Sequence, residues 1–335
     1  MKLIKPSYEI LDQKPGLEGI YEQIELAGRT CYKSVRREGT TAKDFVDRMI
    51  KSQHYAMLEH GTVYLTVPYN SIIEYVDSQD PFYRDILCNP WIKYVIDYEN
   101  DVVYISSNYR WIIENNLENW LQYLCEPTEF HKKRVTVRFI TDRGVSHEFV
   151  RHRVFSFAQE STRYCNYSKD KFGNELTFII PCWLDIPEGR AYWHDGINYR
   201  VGATEENPFG ESVNFKAWVN KKSNYVEVCD YIQALDSAEK AYFRLMDKWE
   251  NRVADRRYTT GFKGNPWTPQ QARQVLPNAL KTELVMTGFV SDWDHFFNLR
   301  ARGTTGAPHP DAKALAEPLM HEFINRNYLN CHTND

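Results

Sequence analysis

Between Arg134 and Ile140, apolar Val135, Val137 and Phe139 alternate with Arg134, Thr136 and Arg138. A period of two sends alternate side chains to opposite faces, so this stretch is expected as a half-buried strand. Asp142-Arg143-Gly144 reads as the turn that follows. From Ser146 the residues favour a helix with Glu148, Arg151 and His152 on one side, at i, i+3 and i+4. A strand that must bury a face, running straight into a charged helix, demands a fold mixing both element types.

Other stretches add to that frame. Gly61 to Val67 alternates in the same way and predicts a second strand. Thr268-Pro269-Gln270-Gln271 combines a capping residue, proline at the first helical position and glutamine three residues after the cap, with Arg273 one turn inside. Pro277 should end or kink that helix, leaving Leu280 to Met286 extended. A helix from Ser291 would place Trp293, Phe296, Phe297 and Arg300 on one face. Amphipathic spacing marks two packing helices, one through Leu235, Ala238, Tyr242, Leu245 and Trp249, the other through Ala312, Leu315, Ala316, Leu319, Met320 and Phe323. Residues 68–133, with Trp111, Ile112, Ile113, Leu117, Trp120 and Leu121 at helical spacing, read as a helical insertion. Residues 183–228, rich in Gly, Asn, Pro and charge, read as loops or short hairpins.

Composition narrows the function classes. At 335 residues about three-quarters of the unfolded surface can be buried, and 42% hydrophobic with 26% charged residues suits a globular protein. A net charge of -4 argues against a nucleic-acid binder that grips along its whole surface, so any phosphate site must be local. The N-terminus lacks the apolar segment of a secretory signal, and no run of about 18 apolar residues could span a bilayer, so a cytoplasmic protein without membrane partners is expected. The seven cysteines are scattered and never spaced Cys-x-x-Cys, which encodes neither a disulfide framework nor a zinc knuckle. No Rossmann or P-loop glycine pattern occurs.

Residues 151–164 read Arg-His-Arg-Val-Phe-Ser-Phe-Ala-Gln-Glu-Ser-Thr-Arg-Tyr, an anion-binding composition in one loop-sized stretch. An isolated Arg-His-Arg is most often a solvated basic face. Here Arg-His-Arg, seven residues and Ser161 resembles the signature of the flavin-dependent thymidylate synthases. Arg29-Thr30-Cys31-Tyr32, His54 with Leu58-Glu59-His60, Gln271 to Pro277 and His295 to Arg300 continue that resemblance in family order. The similar blocks span about 29–67, 134–167 and 266–326, making this a long member with insertions at about 68–133 and 183–228.

The resemblance implies a single domain over 1–335 with an α/β fold, a mixed sheet of the α+β type flanked by helices, unlike the Rossmann flavoproteins. It also implies a homotetramer with shared active sites. The reaction would be reductive methylation of dUMP to dTMP, with 5,10-methylenetetrahydrofolate as carbon donor and FAD reduced by NADPH as hydride source. Carried over by position, Glu148, Arg151, Gln159, Glu160, Ser161, Thr162, Arg163, Arg273 and Arg300 would bind dUMP. Cys31, His54, Glu59, Arg151, His152, Arg153, Gln159 and His295 would face FAD. Arg300, Arg151 and Ser161 would lie at the catalytic centre, with no metal. Arg300 would stabilise negative charge on the uracil oxygens, because carbon 5 is otherwise a poor nucleophile. Ser161 reads as a phosphate donor, since no carboxylate is evident to orient a histidine base beside it. Phe289-Val290-Ser291 departs from the family, where many members carry an Asn and an Arg for FAD.

Two other classes compete. One is a metal-dependent hydrolase built on His54, His60, His147 and His152, although isolated histidines are more often ordinary half-buried residues. The other is an RNA or DNA binder using the arginine loop. Pro181-Cys182 is reminiscent of the nucleophile of the flavin-free thymidylate synthases, but the rest of that pattern is missing.

Overall fold

The computed structural model describes residues 1–78, 89–169, 172–173, 175–194, 198–213, 225–246 and 266–329. The chain divides into two compact units. The first comprises Met1–Ser7, Ile140–His147 and Glu160–Thr282; the second comprises Tyr8–Phe139, Glu148–Gln159 and Glu283–Asp335.

In the second unit, strands β2 (Ser7–Leu11), β6 (Arg134–Asp142), β12 (Lys281–Phe289) and β7 (Ser156–Gln159), which lie largely within it, pair in the order β2-β6-β12-β7. β12 and β7 are antiparallel, with Leu284 opposite Gln159 and Thr287 opposite Ser156. Val135, Val137 and Phe139 are buried as the alternation predicts. The other face is buried too at Arg134 and Thr136, so the start of β6 is not half-buried. Most of their polar atoms are bonded: Arg134 donates through Nη1 to Ser107 O and through Nη2 to Glu59 O, both at 3.1 Å, and Thr136 meets the Thr287 hydroxyl at 2.9 Å.

A second sheet in this unit corrects the reading of 68–133 as helical. β3 (Thr62–Pro68) pairs antiparallel with β5 (Val102–Asn108), which pairs with β4 (Lys93–Asp97). β3 buries Val63, Leu65 and Val67, and its backbone needs a ladder partner that only another strand supplies. The segment contributes helices as well, Tyr69–Ser78 and Tyr109–Glu114, the latter carrying the helically spaced Trp111 and Ile112 into the core beside Ile20 and Ile24.

The first unit holds a five-stranded sheet in the order β11-β10-β9-β1-β8, formed by β1 (Lys2–Ile4), β8 (Thr177–Ile179), β9 (Gly189–His194), β10 (Asn198–Ala203) and β11 (Glu211–Val213). The β9, β10 and β11 pairings are the hairpins expected within 183–228. Helix Tyr225–Met246 buries Val228, Ile232, Leu235 and Tyr242 in the same core as Leu3 and Phe178. Trp249, expected on that helix, falls outside the described residues.

Candidate active site

The predicted turn after β6 is a cap: Asp142 Oδ1 accepts the Val145 amide at 2.9 Å, and the helix begins at Arg143. It ends at Phe149, so Arg151 and His152 stand beyond it rather than on its face. The cause is local. Arg300 Nη2 donates to the Glu148 carbonyl at 2.9 Å, while the His152 amide turns to Phe149 O at 3.1 Å. A side-chain donor on a late carbonyl is a common way to finish a helix.

Arg300 organises the second unit's charged cluster. Its Nη1 pairs with the Glu148 carboxylate, and its Nε donates to His152 Nε2 at 3.2 Å. A guanidinium can only donate, so His152 Nε2 must be the acceptor and the neutral ring carries its proton on Nδ1. Burial pushes the His152 pKa down to about 4, with Arg300 and then His295 adding charge repulsion. The exposed His295 ring lies 6.1 Å from it.

Aromatic packing holds this geometry. The Phe296 ring is 5.0 Å from His152 and from Phe149, Phe155 is 4.7 Å from Trp293, and Phe297 is 5.1 Å from Phe323. The helix Val290–Phe297 carries Trp293, Phe296 and Phe297, but Arg300 sits on the π-turn Asn298–Arg302 that follows, closed by Gly303 at φ 71°. Such wide turns are rare and frequently mark functional positions. Two of the five guanidinium N–H groups of Arg300 remain uncommitted among the described residues.

The first unit holds a different constellation. Glu160 is buried, accepting from Tyr167 Oη at 2.9 Å and pairing with Lys281 Nζ at 2.7 Å. Beside it Ser161 Oγ accepts the Arg163 amide at 3.3 Å, which leaves the hydroxyl hydrogen available to a ligand. Thr162 is buried, whereas Arg163 is exposed with its guanidinium 5.2 Å from the Tyr164 ring. Arg273 is exposed on the short turn Arg273–Val275, after a helix start in which Gln271 Oε1 accepts the Thr268 amide at 2.9 Å. Among the described residues neither Arg163 nor Arg273 has a carboxylate partner. Lys281 and Tyr167 were not read from the sequence: a lysine opening an extended run and a lone tyrosine carry no signal of a buried carboxylate.

A family model described as thymidylate synthase complementing protein, Thy1, matches residues 113–326. The chain belongs to the Thy1 family. This membership bears out the resemblance carried by the Arg151 to Tyr164 signature. Relatives include flavin-dependent thymidylate synthases of Mycolicibacterium vanbaalenii, 29% identical over 159 residues (48% of this chain, 46% of that protein), and of Corynebacterium diphtheriae, 26% identical over 160 residues (48% and 45%). The chain thus matches about half the length of these relatives. Among solved structures, it is similar to a UMP/dUMP methylase, PolB, from Streptomyces cacaoi. The form bound with 5-Br UMP has a TM-score of 0.39 at 14% identity, covering 97% of this chain and 92% of that one. The form with 5-Br dUMP scores 0.40 at 14%, covering 97% and 93%.

The Thy1 match contains the signature, Arg273, His295 and Arg300, and the Cys31, His54 and Glu59 blocks precede it. Those three are differently placed. Cys31 is half-buried with Sγ 4.0 Å from Met57 Sδ, and burial raises its pKa. Glu59 pairs with Arg110 at 2.7 Å, and His54 is exposed before the turn Tyr55–His60. Arg151 and Arg153 are exposed and, among the described residues, lack carboxylate partners. At the departure Phe289-Val290-Ser291, Lys93 Nζ lies 4.4 Å from the Phe289 ring and donates to Ser291 Oγ. The histidines of the hydrolase alternative are not gathered: His60 is buried against Thr287 Oγ1 at 2.8 Å, His152 is bonded to Arg300, and His54 and His147 are exposed. Among the described residues no group of three or more potential metal ligands converges.

Proposed function

We propose that this Thy1 chain methylates dUMP to dTMP, taking its carbon from 5,10-methylenetetrahydrofolate and its hydride from FAD reduced by NADPH. In this reading it works in the cytoplasm as a homotetramer with shared sites. The observation that carries the reading is that Arg151, Arg153 and Arg163 of the signature, and Arg273 beyond it, are exposed and lack carboxylate partners among the described residues. Exposed arginines held apart from acids suit phosphate-bearing ligands, which guanidinium forks bind bidentately.

The residues fit a flavin nucleotide in chemical terms, with Arg151 and Arg153 as cations for a diphosphate and His295 as an exposed ring. When bound, the flavin supplies the hydride. The protein's share is binding and electrostatics. Ser161 and Arg163 hold the dUMP phosphate, with Arg273 as a further cation. Arg300, through its uncommitted N–H groups, stabilises negative charge on the uracil ring as carbon 5 attacks. Its bonds to Glu148 and His152 preorganise it, so little reorganisation is needed at the moment of reaction. Neutral His152 accepts from Arg300 without competing for anions.

The test is spectroscopic. Purified protein should bind FAD, and reduced flavin should be oxidised in a dUMP-dependent manner once methylenetetrahydrofolate is added. Arg163→Ala should weaken dUMP by about 10- to 150-fold, the value of one charge-assisted contact of ~1.5 to 3 kcal/mol. Unchanged dUMP affinity in the folded variant rejects the phosphate assignment.

A further inference from the structure

The loop that begins at Ser161 has a cation at its base that the signature does not include. Arg143 opens the helix after β6, is half-buried, and directs Nη1 toward the Glu160 carbonyl at 3.5 Å, one peptide bond from Ser161. Among the described residues that long contact to a neutral oxygen is its only side-chain hydrogen bond, and no carboxylate pairs with it. The obvious partner is already engaged. The Glu160 carboxylate accepts from Lys281 at 2.7 Å and from Tyr167 at 2.9 Å.

This arrangement matters because a half-buried cation normally finds an acid or is displaced toward water. Here the neighbouring acid is drawn away by Lys281. The Arg143 backbone is pinned as well, its amide donating to Asn278 O at 2.8 Å, which fixes the base of the side chain. Few of its five donors are used.

We propose that Arg143 is a phosphate-binding residue of the nucleotide site, and that the buried Glu160–Lys281 pair is a positioning device that keeps Arg143 unpaired and the Ser161 loop in place. The inference rests on the dUMP reading above and adds a residue to it. The expected ligand group is the dianionic 5′-phosphate, met by Arg143 together with the Ser161 hydroxyl and the Arg163 guanidinium. Lys281→Met should act indirectly: the released Glu160 carboxylate turns to Arg143 and competes with the phosphate.

The experiment measures dUMP dissociation constants for the FAD-loaded full chain, as wild type, Arg143→Gln, Arg143→Lys and Lys281→Met. Arg143→Gln should weaken dUMP on the order of 10- to 100-fold, with Arg143→Lys recovering part of that loss and the Michaelis constant for methylenetetrahydrofolate unchanged. Wild-type affinity in folded Arg143→Gln overturns the inference and leaves the dUMP reading standing. Equal weakening of dUMP and folate, with no recovery in Arg143→Lys, assigns Arg143 a merely structural role and also overturns it. A wild type that binds no dUMP overturns both. Should Arg143→Gln fail to fold, wild-type protein treated with an arginine-selective dicarbonyl decides the matter. Mass spectrometry must show Arg143 protected by dUMP, and equal modification with and without dUMP refutes the inference.

Discussion

His152 is held neutral by its surroundings, and that makes a pH-dependent contribution to stability which can be isolated. Its pKa falls to about 4 in the folded chain from 6.5 in an open one. Above pH 6.5 the ring is neutral in both states and the Arg300 bond is intact. As the pH falls below 6.5 the unfolded chain takes up a proton that the folded chain refuses, so stability is lost progressively until about pH 4. At about 1.4 kcal/mol for each tenfold change in proton affinity, the loss approaches roughly 3 kcal/mol, and partial solvent screening lowers this to about 2 to 3. Protonation would also set a charged ring against the Arg300 Nε donor. His152→Gln is the control, since an amide oxygen can accept from Arg300 but does not titrate. Urea unfolding of both proteins from pH 7 to pH 4 should show the wild type losing about 2 to 3 kcal/mol more than the variant. Buried His60, lowered to about 3, titrates in both proteins and cancels in the difference. A difference that stays constant across this range, or a His152 NMR titration midpoint near 6.5, refutes the assignment of His152 as a buried neutral acceptor.

Two further outcomes are expected. Arg300→Lys keeps a charge near Glu148 but cannot also reach the Glu148 carbonyl and His152, so turnover should fall about 100- to 1000-fold, more than dUMP binding weakens. Steady-state kinetics at matched FAD content check this, and a rise confined to the Michaelis constant for dUMP would show that Arg300 only binds substrate. On the proposed function, Cys182→Ala should stay active, because reduced flavin would supply the hydride in place of cysteine addition to the pyrimidine; a covalent adduct between Cys182 and 5-fluoro-dUMP, seen by mass spectrometry, contradicts it.

Much of this protein is written in local patterns. Alternation at 134–140 and 61–67 marked strands, the Thr268-Pro269 start marked a helix entry, and the aromatic spacing from Trp293 to Phe297 marked a buried face. These are legible because side-chain direction repeats every 2 or 3.6 residues regardless of what lies elsewhere in the chain. The family too is carried by a contiguous stretch, Arg151 to Tyr164, whose residue types report their chemistry without tertiary information.

What the sequence did not determine depends on partners distant in the chain. Residues 102–108 pair with β3, and 93–97 with them in turn, because an extended strand needs a ladder, which no local period at 111–121 could announce. The helix after β6 stops at Phe149 because Arg300, 152 residues away from Glu148, takes the Glu148 carbonyl. Glu160 is engaged because Lys281 arrives from the start of β12. Whether a charge is paired is a property of the space around it rather than of its neighbours in the chain. For that physical reason the sequence named the arginines, and only the tertiary structure decided which of them are left without an acid.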